Sequence, residues 1–563
     1  MATFGSNDRF GLFSGGCVVC CGGGGGCNQI IVQGAGLGSS IRCAANNTSS
    51  GAYTSVFGKN NTSSGNCSTI SGYNNVVSAD LSSVIGSGNN VSACSSSVNG
   101  SYNSISSAYG TQSNSIVGFY NCITSSCYGN NNFIGGIANT ISSCYRTDNN
   151  NIIGGFNNIG STSSLSNSNI LGYINCILGS NSVYNSILGS NHSTISGDYM
   201  QNANIIASTH STISNESIVN GIIGGAYNTI SSCCCNLILG GTQNTISAYN
   251  SNTILNSNFS IIGGRTANSY IRGLCNSIVS DNENSYNEII GNNNSASGTN
   301  INRVKIYGYC NSSSGYQQSF QNVFGESNCL NGCHQFYSIV FGNGNKITSS
   351  GYYAFVNYTN IVGLNNCVYA VNNSDLNGDV LCNNNMYGTL NSICAINSIS
   401  GTQRANYIYY NTLQGQCNLI CSTNSVDYTQ NCLVYNFVNG FSNKVFTNCC
   451  SYGQGNFVNG SSNCVQANYS SAIGLSNVIN CACSTTINGT FGLVTGFCGN
   501  TIGGGIANCV SGCNANTISG GSNNQLVGLG HNIGGGNLNL VNGINYSTIG
   551  GGFVNTNNGG QSV

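Results

Sequence analysis

Proline and tryptophan are absent from this chain of 563 residues, and Asp, Glu, Lys and Arg together make up only 4% of it. Soluble domains ordinarily carry roughly 25% charged residues. Eleven basic and 12 acidic side chains leave a formal charge of −1. No basic stripe exists to neutralise phosphates, which excludes nucleic-acid binding. No apolar run approaches the roughly 18 residues of a membrane helix. The opening MATFGSNDRFGLFSGG shows neither the basic region nor the apolar core of a secretory signal. The expectation is therefore no membrane insertion and no signal peptide. The usual roots of disorder are missing as well, because 40% of the residues are hydrophobic and Ile and Val are placed regularly. Helical periodicity is scarce and glycine too frequent for helices.

Cysteine is plentiful at 32 residues, including Cys20-Cys21, Cys233-Cys234-Cys235 and Cys449-Cys450. The paired CxxC spacing of zinc sites does not occur, and the set is too dispersed for a small disulfide scaffold.

Glycine (79 residues), Asn, Ser, Ile and Tyr recur in register. Gly58, Gly72, Gly86 and Gly100 are 14 residues apart, and Asn61, Asn75, Asn89 and Asn103 keep the same interval. NNTSSG stands at 46–51 and again at 60–65. Self-similarity this short predicts a solenoid in which each repeat is one coil. Farther on the glycine position passes through Gly118, Gly135, Gly154, Gly172, Gly189, Ala207, Gly224 and Gly240, at intervals of 16–19. An apolar pair precedes each one, and a lone isoleucine, often in N-T-I-S, follows about seven residues later. The arm returning to the next coil absorbs the extra residues, so variable loops are expected on one edge. From Ile502 to Ile549 apolar residues recur every seven or eight positions, two half-coils per turn.

These residues suit a coil. Ile and Val stiffen short strands and fill a narrow interior. Gly and Asn tolerate tight corners, and stacked Asn side chains can form amide ladders. Proline would remove a donor from such a ladder. Adjacent strand residues face opposite ways, so one member of each apolar pair points outward, with Ile153, Ile206 and Ile223 as examples. Stacked, these make an apolar stripe too large to leave in water, which predicts side-by-side association. The fold expected is all-β: an elongated parallel β-solenoid of roughly 14–18-residue coils spanning on the order of 150 Å. Residues 1–40 read as a Gly/Cys-rich docking or capping segment, 41–300 as regular solenoid, 301–500 as a looser one with longer loops, and 501–563 as regular half-coils.

SVFGKNNTSSG (55–65), SVIGSGNNVSA (83–93) and SVNGSYNSISS (97–107) resemble the head repeats of YadA-like trimeric adhesins and related phage and virus fibres. The match is best over 46–105. The resemblance implies a left-handed parallel β-roll packed as a homotrimer. Heptad stalk and membrane barrel, parts of the bacterial adhesins, are not evident, so a virion fibre or extracellular filament fits better.

Several residues invite a chemical reading. His192 and His210, both in H-S-T-I-S, should stack on adjacent coils, as a metal or anion site or as a plain polar ladder. Asp281, Glu283 and Glu288 share one loop, and Asp375 and Asp379 another, each a site for a cation, a carboxylate pair for glycan hydrolysis, or a solvated loop. GAGLGSS (34–40) and GGGGG (22–26) look like phosphate loops without the helix or GK[ST] those require. Cys127 and Cys144, one coil apart, are candidates for a disulfide, and Cys233 follows an isoleucine in the same way. Asn46, Asn61 and Asn258 begin N-x-[ST] triplets. No catalytic constellation or cofactor motif emerges. The expectation is a non-enzymatic structural fibre at a virion surface or outside the cell, self-associating as a homotrimer and able to join head to tail, with a surface glycan or receptor as its other partner. A glycan-binding or glycan-cleaving spike and an ice-binding solenoid are the alternatives.

Overall fold

A computed structural model describes residues 31–558, apart from 43–45, 108–111, 216–217, 250, 265, 280–283, 298–300, 544–545 and a series of short breaks between 315 and 455. Every regular element among them is a strand. Two long ladders run the length of the stack, a short third ladder joins Tyr128–Asn130, Arg146–Asp148, Ser164–Ser166 and Ser182–Val183, and a further ladder beside the first runs from Thr266–Ala267 through Asn284–Ser285 and Gln335–Phe336 to Gly453–Gln454. Among the described residues all pairings are parallel except one: Ile31–Gln33 lies antiparallel on Ser40–Arg42. The chain is a parallel β-solenoid.

One coil explains the rest. In Asn150 to Ile159, Asn150, Ile152, Asn157 and Ile159 are buried, while Ile153 and Phe156 face solvent. Each half-coil thus sends an amide and then an aliphatic side chain inward. Stacking aligns like with like: Ile116, Ile134, Ile152 and Ile170 are register partners in the first sheet, and Ile123, Ile141, Ile159 and Ile177 in the second. The core is a double file of Ile and Val only one side chain deep on each sheet.

Between the files run the amide ladders. Asn61, Asn75, Asn89 and Asn103 are buried, and each Oδ1 accepts the backbone N–H of the next Asn at 2.9–3.0 Å. Each Nδ2 donates to a glycine carbonyl of the following coil, as Asn61 does to Gly72 and Asn75 to Gly86, both at 2.8 Å. Buried backbone groups at the corners are thereby satisfied.

Gly58, Gly72, Gly86 and Gly100 are register partners with φ of +104°, +137°, +133° and +138°. A Cβ there would collide with the carbonyl of the next glycine in the file, so the file excludes side chains. The corners themselves behave differently from expectation. Their residues sit near φ +50° to +60°, yet many carry large side chains, including Tyr120, Phe156 and even Ile174. A left-handed Ile is strained by about 1–2 kcal/mol. Its backbone N–H donates to the Gly155 carbonyl at 3.0 Å, and the residue is 38% exposed.

The register corrects several positions. Gly118 pairs with Gly136, and Gly135 lies opposite Val117 on the outer face, so the uneven intervals around Gly135 were a misassignment by one residue. Gly172 pairs with Ser190 across an irregularity, leaving Gly189 as the extra residue. Coil size also exceeds expectation in the middle of the chain. Register partners stand 21 residues apart from Val340 to Ile361, 25 from Ile361 to Met386 and 27 from Met386 to Leu413, then 14 from Val458 to Ala472. The added residues do not all become loops, since around 128–183 they fold into the third ladder.

Candidate interaction surfaces

The outer face of the first sheet carries the second members of the apolar pairs. Val117, Ile153, Leu171, Leu188 and Ile223 are exposed, and Ile206, Leu239 and Leu255 are half-buried. Ile153 is 50% exposed beside a fully buried Ile152. A parallel column two residues along each strand adds exposed Phe119, Ile137 and Tyr173. The corner beyond contributes Tyr120, Phe156 and Ile174, and the Phe156 ring meets Tyr173 edge-on at 5.3 Å. Over residues 117–174 these make one continuous apolar surface with no charged side chain in it. The first column is interrupted by an exposed Arg272, which stands in register between Leu255 and Ile290.

Over residues 194–247 the second sheet is polar outside, whereas Val76, Leu178, Ile261 and Val279 are exposed elsewhere on it. Thr194, Thr212, Thr229 and Thr245 are consecutive register partners, followed two residues on by Ser196 and Ser214 within their strands and by Ser231 and Ser247 just past theirs. Below them, where coils grow and the third ladder begins, a shallow trough of about 490 Å³ is lined by Ser92, Ser106, Thr124, Ser142, Ser161 and neighbouring hydroxyls.

His192 and His210 stack at 4.7 Å with rings 6° from parallel, and Tyr227 continues the pile at 4.8 Å. Parallel imidazoles on successive coils aim their nitrogens in the same direction rather than at a common point, which suits a ladder better than a chelate. Among the described residues no group of three or more His, Cys, Asp or Glu is placed to hold a metal ion.

Asp281, Glu283, Asp375 and Asp379 lie outside the described residues, as does GGGGG. Glu288 is engaged in an ion pair with Lys305 at 3.6 Å. Burial pushes the Tyr307 hydroxyl up to about 12, assisted by a hydrogen bond to Glu288. GAGLGSS forms the turn between the antiparallel first strands, closed by the Gly34 N–H on the Ser39 carbonyl at 3.1 Å. Asn61 is fully buried and therefore closed to glycosylation in the folded coil.

Cys127 and Cys144 stand as free thiols, and the register sets Cys127 against Tyr145 rather than against Cys144. Among the described residues a disulfide joins Cys483 to Cys498, 15 residues and one coil apart, with Cα atoms at 4.4 Å. No sequence motif marks that pair; only the register brings it together. Burial, followed by the adjoining Cys233, pushes the Cys234 thiol up to about 11. Cys234 is thus held away from the thiolate that nucleophilic or metal chemistry needs. No described helix is long and apolar enough to cross a membrane. No protein-family model matches the chain, and no curated protein matches it either.

Proposed function

We propose that this chain is a non-enzymatic structural subunit of a virion appendage or extracellular filament. Copies associate side by side as a homotrimer and add end to end through their terminal coils, and the loop edges meet a surface glycan or receptor. The observation that carries this reading is the apolar surface over residues 117–174. Six large side chains on the sheet, each about half exposed, present on the order of 500 Å². With the corner residues this approaches the roughly 800 Å² per partner of a stable interface. A second copy, uncharged at the same place, covers it without burying an unpaired charge. Parallel copies at equal height would set Arg272 against Arg272, so the contact lies on the coils before it. The likeness of residues 55–107 to trimeric fibre repeats supports the count of three.

Mass photometry over a dilution series, with electron microscopy, tests the reading. Trimers, or rods and filaments built of them, are expected. Ile153→Asn with Leu171→Asn should weaken association at least tenfold in a chain whose circular dichroism is unchanged. Compact monomers at micromolar concentration would overturn it.

A glycan-binding spike is the second reading, favoured by the hydroxyl-lined trough between Ser92 and Ser161. Saturable retention on a polysaccharide column, lost on filling the trough with Ser142→Tyr, would promote it. The four-coil Thr and Ser array keeps ice binding as a third reading, for which thermal hysteresis is the measurement.

A further inference from the structure

His531 is fully buried at a position that stacked coils fill with asparagine. It follows Asn500 and Asn516 in the same inner file, two residues before the core Ile533. The ring reproduces both halves of an amide. The backbone N–H of His531 donates to Asn516 Oδ1 at 3.0 Å, and the ring Nδ1 accepts the Ser547 N–H at 3.1 Å, as an Asn Oδ1 would. Its Nε2 lies 3.1 Å from the Gly543 carbonyl, where an Asn Nδ2 would donate. The Ser547 contact requires a bare Nδ1, so the single ring proton sits on Nε2 and points at Gly543. Room for the larger ring comes from Gly528 (φ +131°), where any Cβ would collide with Nε2.

This fit works for one protonation state only. An asparagine has no other, but an imidazole takes up a second proton in mildly acid solution. A proton on Nδ1 would face the Ser547 N–H donor to donor, inside a site with no water-facing side. Nothing nearby would stabilise the charge. No Asp, Glu, Lys or Arg follows Lys444 in the sequence. The titratable groups near this end are Tyr546, whose ring lies over Gly530, and the thiols of Cys509 and Cys513. None of these is anionic in mild acid.

We propose that His531 is an acid-sensitive latch: neutral, it bonds the coil of Asn516 to that of Ser547, and protonated, it releases the coils that follow. Proton uptake is accommodated by the open form, in which the ring reaches water, so acid favours opening. Other inner-file positions of the described C-terminal coils, such as Asn500, Asn508, Asn516, Asn524 and Asn539, carry amides, which do not titrate, and the release is local to these coils.

Hydrogen exchange read by mass spectrometry on the full chain, at pH 7.5 and 5.5 and corrected for intrinsic rates, tests this directly. A loss of protection of up to about tenfold is expected at pH 5.5 in peptides spanning 516–549, with 457–502 unchanged as the internal control. His531→Asn should abolish the difference. If that variant misfolds, the wild-type contrast between the two segments still decides. Equal protection at both pH values, a loss spread evenly along the chain, or a loss that persists in a folded His531→Asn protein would each overturn the proposal.

Discussion

Coils 117–239 and the C-terminal coils 437–549 follow one interior rule and two exterior ones. Inside, both stack Ile or Val under Asn: Ile152 and Asn157 in the first region correspond to Ile487 and Asn477 in the second, all fully buried. Outside, on the same face of the same sheet, the first region shows Val117, Ile153, Leu171 and Leu188, and the second Asn439, Asn459, Ile473 and Asn488. The fold is therefore indifferent to what the outer face carries. Parallel ladders and buried amides need only the inward positions, which leaves the outward ones free to set what the coil touches.

The sharpest way to break that comparison is to attack the shared interior. Gly154 and Gly474 have φ of +136° and +121°, and a Cβ on either would collide with the carbonyl of the glycine one coil on. Alanine at either position should cost about 4 kcal/mol or more, because an unfavourable backbone angle and a backbone clash combine. Chemical denaturation of Gly154→Ala and Gly474→Ala checks it. A large loss at one site with none at the other would mean that the two regions do not obey one rule.

An exchange of exteriors is a gentler test. Asn459→Leu with Asn488→Leu extends an apolar column past Ile473, at exposed or half-exposed positions. Surface changes of this kind shift stability within about 0.5 kcal/mol, so folding should be unaffected while self-association rises. Sedimentation velocity over a concentration range reads the outcome. Unchanged sedimentation would show that an apolar column alone does not recruit a second copy, and that the aromatic corner of the first region matters too.

The interior was the legible half. The 14-residue recurrence of Gly58 to Gly100 and Asn61 to Asn103 placed strands, amide files and glycine file together, because a solenoid forces like residues into contact at every coil. Where the coil length changed, sequence spacing lost a residue: Gly135 and Gly136 are adjacent glycines, and only pairing to Gly118 distinguishes them. The third ladder escaped notice because three-residue strands such as Arg146–Asp148 carry no apolar period. His531 escaped for the opposite reason. Its neighbours are regular enough that a single histidine in an asparagine file reads as noise until its two ring nitrogens are seen on Ser547 and Gly543.

Acid response offers the finest distinction between the regions. Asp198 is fully exposed, and its carboxyl is held below the ordinary carboxylate range by hydrogen bonds from the Ser180 hydroxyl and then the Ser180 N–H, the latter at 3.1 Å. A carboxyl lowered by folding stabilises the protein above its unfolded pKa, and that contribution is lost as pH falls through the folded value. The effect should be small, since water screens an exposed group. Carboxyl chemical shifts followed by NMR should place the Asp198 titration below that of a free aspartate, and Ser180→Ala should bring it back up. An unaltered midpoint in Ser180→Ala would remove the hydrogen bond as the cause. In the C-terminal coils no carboxylate side chain follows Asp427, so no side-chain carboxyl there can answer acid as Asp198 does, and an acid response in those coils would have to come from a group that gains charge.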